Sequence, residues 1–73
     1  MRQDRAEMNH IIAEIERVLR QAKRPLLSSE IAAMCEPQTK GILWRVRDRL
    51  KVMPNIKVTQ RDGVKRYEWE ERL

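Results

Sequence analysis

Apolar residues recur at three- and four-residue steps over the first third of the chain: Met8, Ile11, Ile12, Ile15, Val18, Leu19 and Ala22. At the helical period these positions line up as one stripe, so the spacing predicts an amphipathic helix from about Arg5 to Lys23. His10 falls on the opposite, wet face beside Ala6 and Arg17, where a lone histidine is expected to be a plain surface residue. Arg24-Pro25 ends the pattern, because the residue before a proline is pushed out of the α region. Leu26-Leu27 then reads as a short extended stretch, which makes residues 25–27 a candidate third strand of a small sheet.

Ser28 is placed to cap a second helix, and Glu30 stands in the first turn, where the helix dipole favours negative charge. This helix is expected from Ser29 to about Met34, with Ile31, Met34 and Cys35 turned inward. Ala32 and Ala33 are small enough to let another helix cross closely. Cys35 is expected to be a small core residue rather than a nucleophile, since His10 is its sole candidate partner. A turn at Cys35-Glu36-Pro37-Gln38 leads into a third helix from about Gln38 to Lys51, proline being tolerated in a first turn. Its inward residues are expected to be Ile42, Leu43, Val46 and Leu50. Outward lie Lys40, Trp44, Arg47 and Lys51, flanked by Arg45 and Asp48. Gly41 weakens such a helix, so it either permits a close backbone approach or marks a frayed end.

After Val52-Met53-Pro54-Asn55 the period changes to two. Ile56–Arg61 and Val64–Glu70 alternate apolar and polar residues around Asp62-Gly63, the strongest kind of local hairpin signal. A two-residue turn pairs Arg61 with Val64, Val58 with Tyr67 and Ile56 with Trp69. Lys57 then stands opposite Glu68 on the other face, an opposite-charge pair. A three-residue loop would set Val58 against Arg66 and Ile56 against Glu68, so the two-residue register is preferred. Tyr67 and Trp69 are expected to pack into the core beside Ile56 and Val58.

The composition fits one small domain over residues 1–73, with its core at about 8–70. The chain is 41% hydrophobic and 37% charged, enough aliphatic content for a thin core but near the lower size limit for independent folding. No apolar run is long enough to span a bilayer, and Met1-Arg2-Gln3-Asp4-Arg5 lacks a signal-peptide core, so a cytoplasmic, non-secreted protein is expected. One cysteine cannot form an internal disulfide, and one histidine with one cysteine supplies no zinc-ligand set, so neither metal nor cofactor is expected. The carboxylates Glu14, Glu16, Glu68, Glu70 and Glu71 stand in charge-mixed, solvated stretches, a poor basis for catalysis.

The chain carries a net charge of +5, and the excess is concentrated in its middle. Lys40, Arg45, Arg47, Arg49 and Lys51 stand against Asp48 within one predicted helix. A short basic helix on a nearly neutral background is the footprint of a groove or phosphate contact. It is equally the appearance of an ordinary solvated helix face.

The element order is helix, short extended segment, helix, tight turn, helix, hairpin. Together with two stretches of sequence, it resembles the winged helix-turn-helix family, an α+β fold. Pro25-Leu26-Leu27-Ser28-Ser29-Glu30-Ile31-Ala32 is similar to that family's run-in to its second helix. Leu50-Lys51-Val52-Met53-Pro54-Asn55-Ile56-Lys57-Val58 is similar to its passage from third helix to wing. The likeness covers about residues 8 to 70, with small regulators of bacteria and their viruses as the nearest class. Family members often carry glycine where Asn55 stands, and asparagine also tolerates a left-handed backbone.

The resemblance implies a sequence-specific double-stranded DNA-binding protein, a small transcriptional or replication regulator rather than an enzyme. Its third helix would enter the major groove, presenting Gln38, Thr39, Lys40, Trp44, Arg45, Arg47 and Lys51. The N-terminus of the second helix, at Ser28 and Ser29, would meet a phosphate. The wing would place Arg61, Lys65 and Arg66 on the backbone or in the minor groove. Arg66 has a plainer reading too, as a rung beside Thr59 on the exposed side of the hairpin. So small a contact area usually calls for a homodimer on a two-fold site, and the long first helix is the candidate dimer handle. For Trp44 three readings stay open: contact with deoxyribose or a thymine methyl, an anchor for a protein partner, or core under the wing. The alternative function is therefore a protein-interaction winged helix that docks through Trp44 and the basic helix. Single-strand or RNA binding is weaker, because stacking platforms use several exposed aromatics.

Overall fold

The computed structural model describes residues 2–71, with side chains from residue 8 onward. Three helices, α1 (Arg2–Gln21), α2 (Ser28–Met34) and α3 (Ile42–Leu50), precede two strands, β1 (Ile56–Arg61) and β2 (Val64–Trp69). The result is the α+β arrangement expected, three helices followed by an antiparallel hairpin.

α1 buries Ile11, Ile15, Val18 and Leu19, the centre of the expected stripe, with Met8, Ile12 and Ala22 half-buried at its margins. It begins three residues earlier than expected and ends two earlier. The early start is invisible to an apolar pattern because residues 2–4 carry no apolar side chain. The early end lets the chain turn so that Leu26 reaches the hairpin. There Leu26 N–H donates to the Tyr67 carbonyl at 2.9 Å and Tyr67 N–H donates back at 2.7 Å. This is a single bridge rather than a third strand, and it closes the open edge of β2.

α2 departs from the expected cap. Leu27 occupies the cap position with an extended backbone, and Ser28 is already the first helical residue. Glu30 reaches back to accept a hydrogen bond from Leu27 N–H at 2.8 Å, so the carboxylate half of a capping box replaces the serine hydroxyl. Ile31, Ala32 and Cys35 are buried, whereas Met34 is half exposed and Ala33 exposed. Cys35 falls about 40° from Ile31 around the helix axis and Ala32 about 100°, on one side; Met34 falls about 60° to the other, off the buried sector. Burial pushes the Cys35 thiol up, so it is protonated at neutral pH, in keeping with a core residue.

α3 begins at Ile42, four residues later than expected. Gly41 caps it in the left-handed region at φ 81°, and a left-handed residue cannot lie inside a right-handed helix. A Cβ built on Gly41 meets nothing within 4 Å, so glycine serves backbone geometry here and not a close approach. Gly41→Ala is accordingly expected to cost about 1 kcal/mol from left-handed strain alone. Thermal unfolding should show it as a Tm lower by roughly 4–8 °C. An unchanged Tm would mean that α3 can begin without this conformation.

The hairpin has the expected register throughout: Arg61 faces Val64, Val58 faces Tyr67, Lys57 faces Glu68 and Ile56 faces Trp69. Asp62 and Gly63 both have positive φ, 54° and 76°, the requirement of a type I′ turn. Asn55 is not left-handed; its carbonyl accepts the Glu70 N–H at 2.9 Å. β2 packs on α1 and α2 while β1 is the outer strand. Ile56, Tyr67 and Trp69 therefore cover the core, but Val58, nearer the hairpin tip, is half exposed instead of buried. Arg20 fastens the end of β2 to α1. Its guanidinium lies 5.1 Å from the Trp69 ring centre and bonds Glu16 and Glu71, each at 2.8 Å.

Candidate nucleic-acid interface

α3 rests on α1 and α2, while the hairpin packs on the same two helices through β2. Val46 and Leu50 are buried and Ile42 half-buried, which fixes the inward side of α3. Trp44, two residues before Val46, points about 160° away from it at the helical period. Its side is shared by Arg47 and Lys51, both exposed. Trp44 itself is 76% exposed, which excludes the reading in which it folds under the wing as core. Leu43, expected inward, sits at the margin of the buried sector and is exposed, because Val46 and Leu50 already fill the contact with α1 and α2.

The remaining third-helix candidates divide. Thr39 and Lys40 are exposed but lie in the turn before Gly41, not on the helix. Gln38 also lies in that turn. Its amide donates to the carbonyls of Ala32 (2.7 Å) and Cys35 (2.6 Å), closing the last turn of α2, so its donors are spent inside the fold. Arg45 is half-buried and turned toward α1, lining a cavity of about 130 Å³ together with His10, Glu14 and Glu36. Arg49, not among the candidates, is half-buried beside Asp48, with Nη2 3.0 Å from its carboxylate. Trp44, Arg47 and Lys51 thus form the outward ridge, with Lys40 exposed in the turn before it.

The other two regions contribute less than expected. Ser28 is half-buried and Ser29 exposed at the start of α2, but the Glu30 carboxylate already occupies that positive end. Arg24, and then the Leu27 N–H, hold the Glu30 carboxyl below its ordinary range, so an anion is in place where a phosphate was expected. On the wing, Arg61, Lys65 and Arg66 are all exposed. The pairing of Gln60 with Lys65 puts Lys65 on the Val58–Tyr67 face, whereas Arg61 and Arg66 share the opposite face. Arg66 is the rung beside Thr59 and lies close enough to Glu30 to help lower its carboxyl pKa. Of the first helix, the candidate dimer handle, the side chains are described from Met8 onward, and those of residues 2–7 lie outside the described residues.

A polar clamp that sequence reading missed sets the turn before α3. Glu14 on α1 accepts Arg17 Nη2 at 2.7 Å and the backbone N–H of Glu36 at 2.9 Å. Arg17 also donates to the Met34 carbonyl at 3.0 Å, and His10 Nε2 donates to the Glu36 carbonyl at 2.6 Å. Local pattern could not reveal these cross-element contacts, between residues 17 to 26 positions apart. The Arg17 guanidinium, followed by the Glu36 N–H, holds the Glu14 carboxyl below the ordinary glutamate value of 4.5. A carboxyl depressed by folding stabilises fully above its unfolded value and loses that stabilisation as pH falls through the folded value. Glu14→Gln is therefore expected to destabilise by about 1 kcal/mol at neutral pH. Parallel melts should show its deficit against wild type shrinking as pH drops below 4.5. A deficit that stays constant into acid would show that the charge of Glu14 does not hold the turn.

A cavity of about 590 Å³ lies away from this ridge, between the end of α1 and α2, walled by Val18, Ala22, Leu26 and Met34. Among the described residues no helix is long and apolar enough to cross a membrane, and no group of three acidic, histidine or cysteine side chains could hold a metal ion. Compared with known proteins, the chain matches no family model, no curated protein and no solved structure.

Proposed function

We propose that the chain is a winged helix-turn-helix protein that binds double-stranded DNA sequence-specifically. It would act by occupying its site, as a small transcriptional or replication regulator of the cytoplasm or nucleoid. α3 enters the major groove and the wing lies on the backbone or in the minor groove. The observation that carries this reading is the outward ridge: Arg47 and Lys51 stand exposed around Trp44 on the side of α3 opposite its packing. Arginine there can read guanine bidentately, and lysine meets phosphate. A single module of this kind covers about 600–1,000 Å² on DNA, so binding as a homodimer through α1 is part of the proposal.

The test is titration of labelled duplexes, selected from a random library, at about 50 mM and about 200 mM salt. Affinity should fall with salt at a log–log slope of about −0.9 per neutralised phosphate. Absence of binding at the lower salt overturns the proposal. A second reading, a module that docks on an acidic protein, is favoured by the same exposed Trp44, since a tryptophan beside exposed cations has the composition of an interface anchor. It predicts that Trp44→Ala abolishes capture of a partner while sparing nonspecific binding to DNA.

A further inference from the structure

We infer that Trp44 is a specificity-determining residue that reads a thymine, by its 5-methyl group and O4, in the major groove. The inference rests on the DNA-binding reading above and deepens it from duplex DNA to a site with an A·T pair facing the first turn of α3.

Three observations converge on it. Trp44 is the third residue of α3, and the N-terminal residues of a recognition helix are those that meet base edges. It is 76% exposed, so the ring does no work in the core. It also shares its side of α3 with two exposed cations at helical spacing, Arg47 three residues on and Lys51 seven on. Cations so placed suit backbone phosphates and would hold the helix with Trp44 over the base edges. Asp48, the acidic neighbour one turn on, has its carboxylate 3.0 Å from Arg49 Nη2, so part of its charge is answered within the helix.

The chemistry of the indole then selects the base. Its side chain offers a broad apolar surface and one N–H donor, with no acceptor. In the major groove cytosine presents an N4 donor and no methyl, which an indole cannot answer. Adenine presents an acceptor beside a donor, and guanine two acceptors with nothing apolar. Thymine presents an acceptor, O4, next to a methyl group. It alone matches both properties of the ring.

The methyl can be removed without disturbing base pairing. In a duplex recovered by selection from a random library, each thymine is replaced in turn by deoxyuridine, and affinity is measured for wild type and for Trp44→Ala. Wild type should lose about fourfold at one thymine position, the scale of one buried methyl group. Trp44→Ala should show no difference between thymine and uracil at that position. Trp44→Leu, which keeps an apolar contact but has no donor, should retain the uracil penalty while losing overall affinity. Because Trp44 is exposed, all three proteins are expected to share one Tm, which separates a lost contact from a lost fold. Uracil tolerated at every position by wild type, or a penalty that persists in Trp44→Ala, overturns the inference while leaving DNA binding intact. Failure of wild type to bind any selected duplex overturns both readings, and the two failures are thereby distinct.

Discussion

Arg47→Glu combined with Lys51→Glu is expected to lower affinity for duplex DNA by roughly a hundredfold at about 50 mM salt. The two cations lie one helical turn apart on the exposed side of α3, four residues from each other and clear of the core. Each is assigned one phosphate or base-edge contact. Loss of the Lys51 phosphate contact should flatten the log–log salt dependence by about 0.9, rising to about 1.8 where Arg47 also meets a phosphate rather than a base. Reversal of charge adds repulsion to the lost attraction, which is why the drop exceeds that of two alanines. Arg45 is left out of the pair because it is half-buried against α1, so its replacement would mix binding with stability. The measurement is fluorescence anisotropy across a salt series, with Tm as the control for folding. Affinity and slope unchanged at equal Tm would remove the ridge from any DNA contact.

Ile31→Ala is expected to have the largest effect on stability. Ile31 is fully buried, and it and Ala32 are the buried residues of a seven-residue helix that has too few turns to persist alone. Truncation of a buried isoleucine to alanine costs about 2–5 kcal/mol, because the transfer free energy is lost and a cavity is left behind. For a chain of this size that corresponds to a Tm lowered by roughly 10–25 °C. α3 and the turn before it lean on α2, through the Gln38 bonds to Ala32 and Cys35 among others, so binding to DNA should be lost in the same temperature range. Circular dichroism melts check the first effect and anisotropy at increasing temperature the second. A variant that melts within about 2 °C of wild type would show that α2 is not held by its core face.

The parts of the fold legible in sequence are those governed by near neighbours. The α1 stripe needs only the helical period, and the hairpin register needs only the alternation of two short segments and the Asp62-Gly63 turn between them. The α3 residues that point outward were legible for the same reason: the apolar positions Val46 and Leu50 fix one side, and Trp44, Arg47 and Lys51 must take the other. The ends of elements were less legible. Nothing local separates a glycine inside a first turn from a left-handed cap, so Gln38, Thr39 and Lys40 were placed on a helix that starts only after Gly41. Ser28 has the right chemistry for a cap, but Glu30 supplies the acceptor and the helix starts one residue earlier.

By itself the sequence determined the number and order of the elements, the hairpin pairing and the side of α3 that carries charge. These follow from periodicity, which is a property of adjacent turns and alternate residues and needs no knowledge of what lies across the molecule. Only the tertiary structure decided which exposed groups remain available. It tied the Gln38 amide to the end of α2, set Arg45 against α1, placed a carboxylate at the start of α2 and left Met34, Leu43 and Val58 uncovered. The physical reason is that burial and hydrogen-bond partnership depend on segments far apart in the chain. Glu14 meets Glu36 and Leu26 meets Tyr67 only when the helices and the hairpin share one core.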